Sequence, residues 1–311
     1  MKIAIIGGSG FIGSHTASKL HREGYTDITI IDKVPPFRNV LTSIKPRYIK
    51  CDITKRSNIS DIILAEQFDI IYFLAGIIRA EEVRVDPVYS YKVNIMGLVN
   101  TLDAVVKTKH TKFIYSSTTH VYTDNTDESC VDEETVLDNK IHLYPGSKLC
   151  AETIIKGYHM LFGLQYLIFR YSVAYGAEGH NDNVVHTFVR NAITGAVIRV
   201  FGKGNVWRDL LYVTDHANGN YLGMIHRDIK NTTIILGGFS IPIPKLAELV
   251  ASTVNPSIKI ELADYMRPGD HAGDKIISRE RAKTLLGWEP QVEIPAGVKL
   301  LFDYYMLSSN R

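Results

Sequence analysis

Tyr144 and Lys148 stand four residues apart in the stretch HLYPGSKLCAE, residues 142–152. Residues i and i+4 of a helix share a face, and Pro145 is compatible with a first helical turn. The spacing therefore predicts a phenol and an ammonium side by side at a helix start. A phenol ionises at about 10 in water. A neighbouring ammonium favours the phenolate, which would then take a proton from an alcohol. Thr118 closes the run YSST (115–118) and offers a hydroxyl to the oxygen that loses and regains that proton. In a chain with 17 tyrosines, Tyr-x-x-x-Lys also suits an exposed helix pair, and a Thr past a strand also suits a turn.

The elements that must hold these groups begin at the N-terminus, which reads MKIAIIGGSGFIG. Ile3 to Ile6 is an apolar, β-branched run suited to a strand buried on both faces. Gly7, Gly10 and Gly13 follow, then a helical pattern that includes Phe11 and Ile12. Strand, glycine turn and helix are the opening of a dinucleotide-binding unit. Gly7 turns the chain, Gly10 leaves room for a pyrophosphate, and Gly13 lets the helix pack close to the strand. The helix N-terminus then presents free N–H groups to the phosphates. Asp32 closes the next strand, Thr29 to Ile31, where a carboxylate can accept both ribose hydroxyls. A 2′-phosphate would meet its charge, so NAD is favoured over NADP; Lys33 weakens that discrimination. An ordinary strand-end Asp is the alternative.

Strands and helices alternate onward: strands at 47–50, 70–74, 112–115 and 166–170; helices at 59–68, 88–109 and 147–161. This alternation specifies a doubly wound parallel sheet of the Rossmann type, an α/β fold, with ligands outside the carboxyl ends of the strands. Gly7, Asp32, Asp52, Ala75, Ser117 and Arg170 all fall there and are expected to line one crevice. After Tyr171 glycines and polar residues become frequent. We expect residues 1–171 to form the NAD-binding domain, with strands at 210–213 and 233–236 returning to the large sheet within a segment near 210–238. Residues 172–311 are expected to form a smaller α/β substrate-binding region, with helices at 184–194, 214–226, 243–254, 278–286 and 294–306 and a strand at 197–201.

The 311 residues are 45% hydrophobic and 22% charged, with a net charge of +2. No basic block points to nucleic acid, no apolar run reaches membrane-spanning length, and the first residues are expected to form a strand rather than a signal peptide. Cys51, Cys130 and Cys150 are scattered without metal-like spacing, so no metal is expected and a reduced, cytoplasmic compartment is.

With these residues in view the chain resembles the extended short-chain dehydrogenase/reductases, and within them the NAD-dependent epimerase/dehydratase group acting on nucleotide sugars. The resemblance is carried by GGSGFIG (7–13), CDIT (51–54), FLAG (73–76), VNIMG (93–97), YSSTTHVY (115–122), YPGSKLCAE (144–152), FRYSVAYG (169–176), GKGNVWRDLLYVTD (202–215), RPGD (267–270) and LGWEP (286–290). It implies Tyr144 as acid/base, Lys148 as its partner and Thr118 as the third member of the triad. It implies Asp52 and Ile53 at the adenine edge; Leu74, Ala75, Gly76 and Tyr171 along the cofactor; and Asn94 and Ser116 behind the active site. Arg208 and Arg267 match positions that clamp the substrate diphosphate, as guanidinium forks do. Thr119, His120, Val173 and Asp270 complete the substrate side; Arg79 has no assigned counterpart in the group and is expected there because it lies where a loop could reach the sugar.

Dehydratases of this group carry Asp-Glu after the triad threonine, whereas this chain has Thr119-His120. The resemblance therefore implies an epimerase that oxidises C4 transiently with bound NAD. A dehydratase, a 4-keto-sugar reductase and a non-catalytic dinucleotide sensor are the alternatives. Val173 stands where the group has Asn, and Thr123 where it has Gly. Members of the group dimerise through two long helices per subunit, here 88–109 and 147–161, which implies a homodimer with Leu149, Ile154 and Leu161 as candidate outer positions.

Overall fold

The run Ile3–Ile6 (β1) is buried at every position, as a strand with helices on both of its faces must be. The computed structural model describes residues 1–108, 111–122, 129–137, 142–202, 206–265 and 276–309. The remaining strands are β2 (Ile28–Asp32), β3 (Arg47–Lys50), β4 (Ile70–Phe73), β5 (Lys112–Thr118), β6 (Cys130–Val131), β7 (Gln165–Tyr171), β8 (Val173–Tyr175), β9 (Ile198–Val200), β10 (Trp207–Tyr212), β11 (Thr232–Leu236), β12 (Phe239–Pro242), β13 (Ile260–Leu262) and β14 (Ile276–Ile277). The helices are α1 (Phe11–Arg22), α2 (Asn39–Thr42), α3 (Arg56–Glu66), α4 (Ala80–Val85), α5 (Pro87–Tyr91), α6 (Gly97–Val105), α7 (Leu143–Phe162), α8 (Val184–Thr194), α9 (Val213–Ile225), α10 (Ile243–Val254), α11 (Glu280–Leu286) and α12 (Ile294–Ser309).

Among the described residues, seven strands form one sheet in the order β11-β7-β5-β4-β1-β2-β3, with every pairing parallel. Its two faces bury separate cores. One packs Ile59, Ile63, Leu98, Leu102, Ala151 and Ile155, from α3, α6 and α7, on Phe73, Phe113 and Tyr115. The other packs Ala17, Leu20, Met224, Ala282 and Leu286, from α1, α9 and α11, on Ile5, Ile30, Ile114 and Leu167. Each such fully buried aliphatic or aromatic side chain contributes about 1.5–3 kcal/mol. A third core joins α8, α10 and α12 to β8, β9 and β10, and it includes Phe11 from the start of α1.

Three expectations are corrected. The strand anticipated at 210–213 is β10, and it does not return to the large sheet. It pairs with β8 and β12 in a separate three-stranded sheet, so β11 alone of the two expected strands joins the large one. Its Trp207–Asp209 half is only partly buried, which an apolar-run reading passes over. The helix expected at 88–109 starts at Pro87, N-capped by Asp86. It passes through a π turn at Lys92–Met96 and ends near Val105. Finally, Ser117 and Arg170 do not line a crevice. Both are buried, at 3% and 5% exposure, and both bond to Glu152 of α7.

Candidate functional site

β1 ends in a tight turn because Gly7 takes φ +83°, and a Cβ there would lie 2.4 Å from the backbone nitrogen of Ala75. The turn therefore sits directly on the end of β4. Gly13 is packed as closely: its Cβ would lie 2.7 Å from the Gly7 carbonyl, so α1 can approach β1 only with glycine at that position. α1 begins at Gly10 with no side-chain cap, which leaves its first amides open to an anion. Phe11 is buried beneath an edge-on contact with His15, and Ile12 packs on the α1-side core.

The Asp32 carboxylate accepts from Ser9 N at 3.0 Å and Val34 N at 3.1 Å. Burial pushes its carboxyl above the ordinary range, and the amide bonds oppose that. Lys33 is turned away: its ammonium meets the Tyr89 hydroxyl at 3.0 Å and Asp52 at 3.8 Å. Asp52 is further held by Thr54. The side chain of Ile53 packs under Gly97, and its carbonyl accepts from Asn100. An uncapped helix start, a glycine cradle that a Cβ would fill, and a carboxylate held on amides at the second strand end together fit a dinucleotide. Asp32→Ala is expected to weaken NAD binding roughly 10- to 100-fold, the effect of losing charge-assisted hydrogen bonds. Titration calorimetry with NAD checks this, and an unchanged affinity would remove Asp32 from the site.

The Leu74 amide donates to the Ile6 carbonyl. Ala75 lies under Gly7, and Gly76 faces Asn94 and the Lys148 ammonium: a Cβ at Gly76 would lie 3.2 Å from Asn94 Oδ1 and 3.6 Å from Lys148 Nζ. Asn94 sits in the π turn. It accepts from Ile77 N at 2.8 Å and donates to Ile77 O and to Ser147 Oγ, both at 3.0 Å. Ser147 passes the chain on to the Tyr144 carbonyl at 2.7 Å. The extra residue of a π turn re-aims a side chain inside a helix; here it brings Asn94 against the start of α7.

Tyr144 occupies the first turn of α7, with Lys148 one turn on. The Thr118 hydroxyl lies within reach of the Tyr144 phenol and favours its ionisation, and it accepts from His120 N at 3.2 Å. The Lys148 ammonium donates to the Ser116 carbonyl at 2.8 Å and lies 4.9 Å from the centre of the Tyr115 ring, while the Ser116 hydroxyl donates to Phe73 O. The three groups expected from spacing therefore meet at the end of β5. Their electrostatics differ from expectation. Burial pushes the Tyr144 phenol up to about 12, opposed by the Thr118 bond, and pushes Lys148 down to about 8, opposed by Glu152. Desolvation outweighs the Thr118 hydroxyl, so the phenol is neutral at pH 7.

On the substrate side, Thr119 is buried and donates to the Tyr171 carbonyl. The Tyr171 hydroxyl goes to Asn220 on the α9 side, so that side chain does not enter the crevice. His120 is half-buried in a 3-10 turn, Thr119–Tyr122. Val173 lies on β8 beside Leu210. Arg208 of β10 donates to the Trp207 carbonyl, while Asp209 accepts from Gly238 N and the Ser240 hydroxyl. Arg79, at the start of α4, pairs with Glu82 and Asp182 and contacts His180. Arg267, Asp270 and Thr123 lie outside the described residues. Sequence reasoning missed Glu152, although it shares the α7 face with Tyr144 and Lys148 at i+8. It also missed the clasp over the glycine turn, where His15 meets Ala177 O and Arg38 meets Glu178 O; these contacts span 162 and 140 residues and leave no local signal.

A model of the NAD dependent epimerase/dehydratase family matches residues 3–237. The chain is similar to UDP-glucuronic acid decarboxylase 3 of Arabidopsis thaliana, with 29% identity over 100% of this chain and 90% of that protein. Among solved structures it is similar to the UDP-glucose 4-epimerase of Thermotoga maritima with UDP-glucose. That likeness has 26% identity and a TM-score of 0.91, and covers 99% of this chain and 100% of the other. The UDP-glucuronic acid 4-epimerase of Bacillus cereus shares the fold at 24% identity and a TM-score of 0.86, over 99% and 100% of the two chains. A parallel seven-stranded sheet, a dinucleotide cradle at its first turn, and a family match across three quarters of the chain agree: the chain belongs to the NAD dependent epimerase/dehydratase family.

Proposed function

We propose that the chain is a nucleotide-sugar epimerase that oxidises the C4 hydroxyl of its substrate transiently and restores it with inverted configuration. The observation that carries this reading is the meeting of Thr118, Tyr144 and Lys148 at the end of β5, beside the glycine cradle. The Thr118 and Tyr144 hydroxyls hold the alcohol oxygen, and Tyr144 takes its proton and later gives it back. Lys148, fixed on the Ser116 carbonyl, supplies a positive charge at the same end of the sheet. Gly7, Gly10, the start of α1 and Asp32 hold NAD, which when bound supplies the hydride acceptor and a positive ring that favours the phenolate.

Thr119 supports epimerisation over dehydration: its hydroxyl is taken by a backbone carbonyl, and it carries no carboxylate for losing water across C5 and C6. The similarity to a UDP-glucuronic acid decarboxylase favours a second reading, decarboxylation following the same C4 oxidation. Arg208, with Arg267, would bind the diphosphate, and Arg79 would lie beside the sugar. The protein works in the cytoplasm as a homodimer joined through α5–α6 and α7. Met160 and Leu161 are 84% and 78% exposed at the end of α7, whereas Leu149 and Ile154 pack inward. The test is turnover of a panel of nucleotide sugars by the NAD-loaded protein. A 4-epimer is expected with no net formation or consumption of NADH, and stoichiometric NADH consumption would indicate a reductase instead.

A further inference from the structure

Glu152 has no part in the chemistry above. It lies eight residues after Tyr144 and four after Lys148, so the three share one face of α7. Its side chain is 3% exposed. Arg170 of β7 grips the carboxylate with Nη2 2.7 Å from Oε2 and Nε 3.0 Å from Oε1. The Ser117 hydroxyl donates to Oε1 at 2.5 Å. Arg170 also donates to the Tyr122 hydroxyl at 2.5 Å and lies over that ring. Three consecutive residues of β5 thus each meet one residue of α7: the Ser116 carbonyl takes Lys148, the Ser117 hydroxyl takes Glu152, and the Thr118 hydroxyl takes Tyr144. As a source of stability alone, a buried ion pair is matched by apolar residues of similar volume. This one also contributes geometry and charge.

We propose that Glu152 is a positioning residue for proton transfer: gripped by Arg170 and Ser117, it locks α7 in register with the end of β5 and sets a fixed negative charge one helical turn from the Lys148 ammonium. This deepens the acid/base reading of Tyr144 and rests on it. The groups facing Lys148 are Tyr144 and Glu152 from its own helix, Tyr115 from β5, Arg170 from β7 behind the carboxylate, and the neutral Asn94 from the π turn. Burial disfavours the ammonium, and the Glu152 carboxylate opposes that. Glutamine at this position keeps the size and removes the charge, so Lys148 would lose its proton at lower pH.

The test compares Glu152→Gln, Glu152→Asp and Ser117→Ala in the NAD-loaded protein. Lys148 is followed by NMR titration of carbon-labelled lysines, assigned with Lys148→Met. Glu152→Gln is expected to move the Lys148 titration down by about one unit, with the alkaline limb of the pH–rate profile following, and Glu152→Asp is expected to restore both. An unmoved titration in folded Glu152→Gln overturns the proposal. If Glu152→Gln does not fold, Ser117→Ala decides, since it loosens the grip and keeps the charge. It is expected to leave the titration in place and lower kcat several-fold with KM unchanged; an unaltered kcat overturns the proposal. The titration needs no substrate, so failure of the epimerase reading and failure of the Glu152 assignment are separable.

Discussion

Tyr144→Phe is expected to lower kcat about 10²- to 10⁴-fold, the range for losing a positioned acid/base, while NAD stays bound and KM changes little. The phenylalanine keeps the ring that fills the first turn of α7 and removes only the oxygen that Thr118 holds. The fold should therefore survive and the loss should fall on the chemical step. The wild-type pH profile carries a second expectation. Burial holds the phenol at about 12, so activity depends on what brings it down. Binding of NAD⁺ should lower the ionisation of Tyr144 below that value, because it would bring a positive charge to the site, whereas NADH, without that charge, should not. Phenolate absorbance during a pH titration, read against Tyr144→Phe, checks both. Activity rises with pH as the phenolate forms and falls again where Lys148 loses its proton, above about 8. A Tyr144→Phe variant within tenfold of wild type would remove the phenol from the mechanism.

Gly7→Ala is the second large effect. Gly7 sits at φ +83°, where L residues are rarely found, and its added Cβ would lie 2.4 Å from Ala75 N and 2.6 Å from Ala75 Cα. Both are backbone atoms at the end of β4 and cannot swing aside as a flexible side chain would. The conformational penalty alone is about 1–3 kcal/mol, and the contact adds to it by forcing β1 and β4 apart at the proposed dinucleotide cradle. We expect a loss of at least about 3 kcal/mol in urea unfolding and no measurable NAD stabilisation of what remains folded. Gly24→Ala supplies the comparison: Gly24 has φ +89° but open space around it, so strain acts there without a clash and NAD binding should be intact. If the two variants behaved alike, the contact with Ala75 would carry no weight.

Much of this was legible before any coordinates. β1, β3 and α8 match their expected bounds residue for residue; β1 is an apolar run buried on both faces and α8 is amphipathic, and both leave clear local patterns, whereas β3, RYIK, is only half-buried. Tyr144, Lys148 and Thr118 could be paired because helix periodicity and a strand end are local properties. What could not be read arises from distance in sequence. A strand-end position predicts Arg170 in the crevice; it turns inward because Glu152, 18 residues earlier, lies opposite on α7. Nothing local in 210–213 says that β8 and β12, rather than the large sheet, are its neighbours. The Tyr144 phenol was expected to be acidified by Lys148. Burial set its ionisation instead, and burial is a property of the folded whole.

In the proposed reaction an alcohol is oxidised in place and the same hydride returns to the same carbon. It is tested most directly by supplying the NAD-loaded protein with a nucleotide sugar deuterated at C4 and locating the label in the product. The expected product has an inverted C4 that still carries deuterium, with none lost to solvent and the NAD pool unchanged. Deuterium recovered at C6 would mean dehydration, and deuterium appearing in free NADH would mean a net dehydrogenase; either result contradicts it.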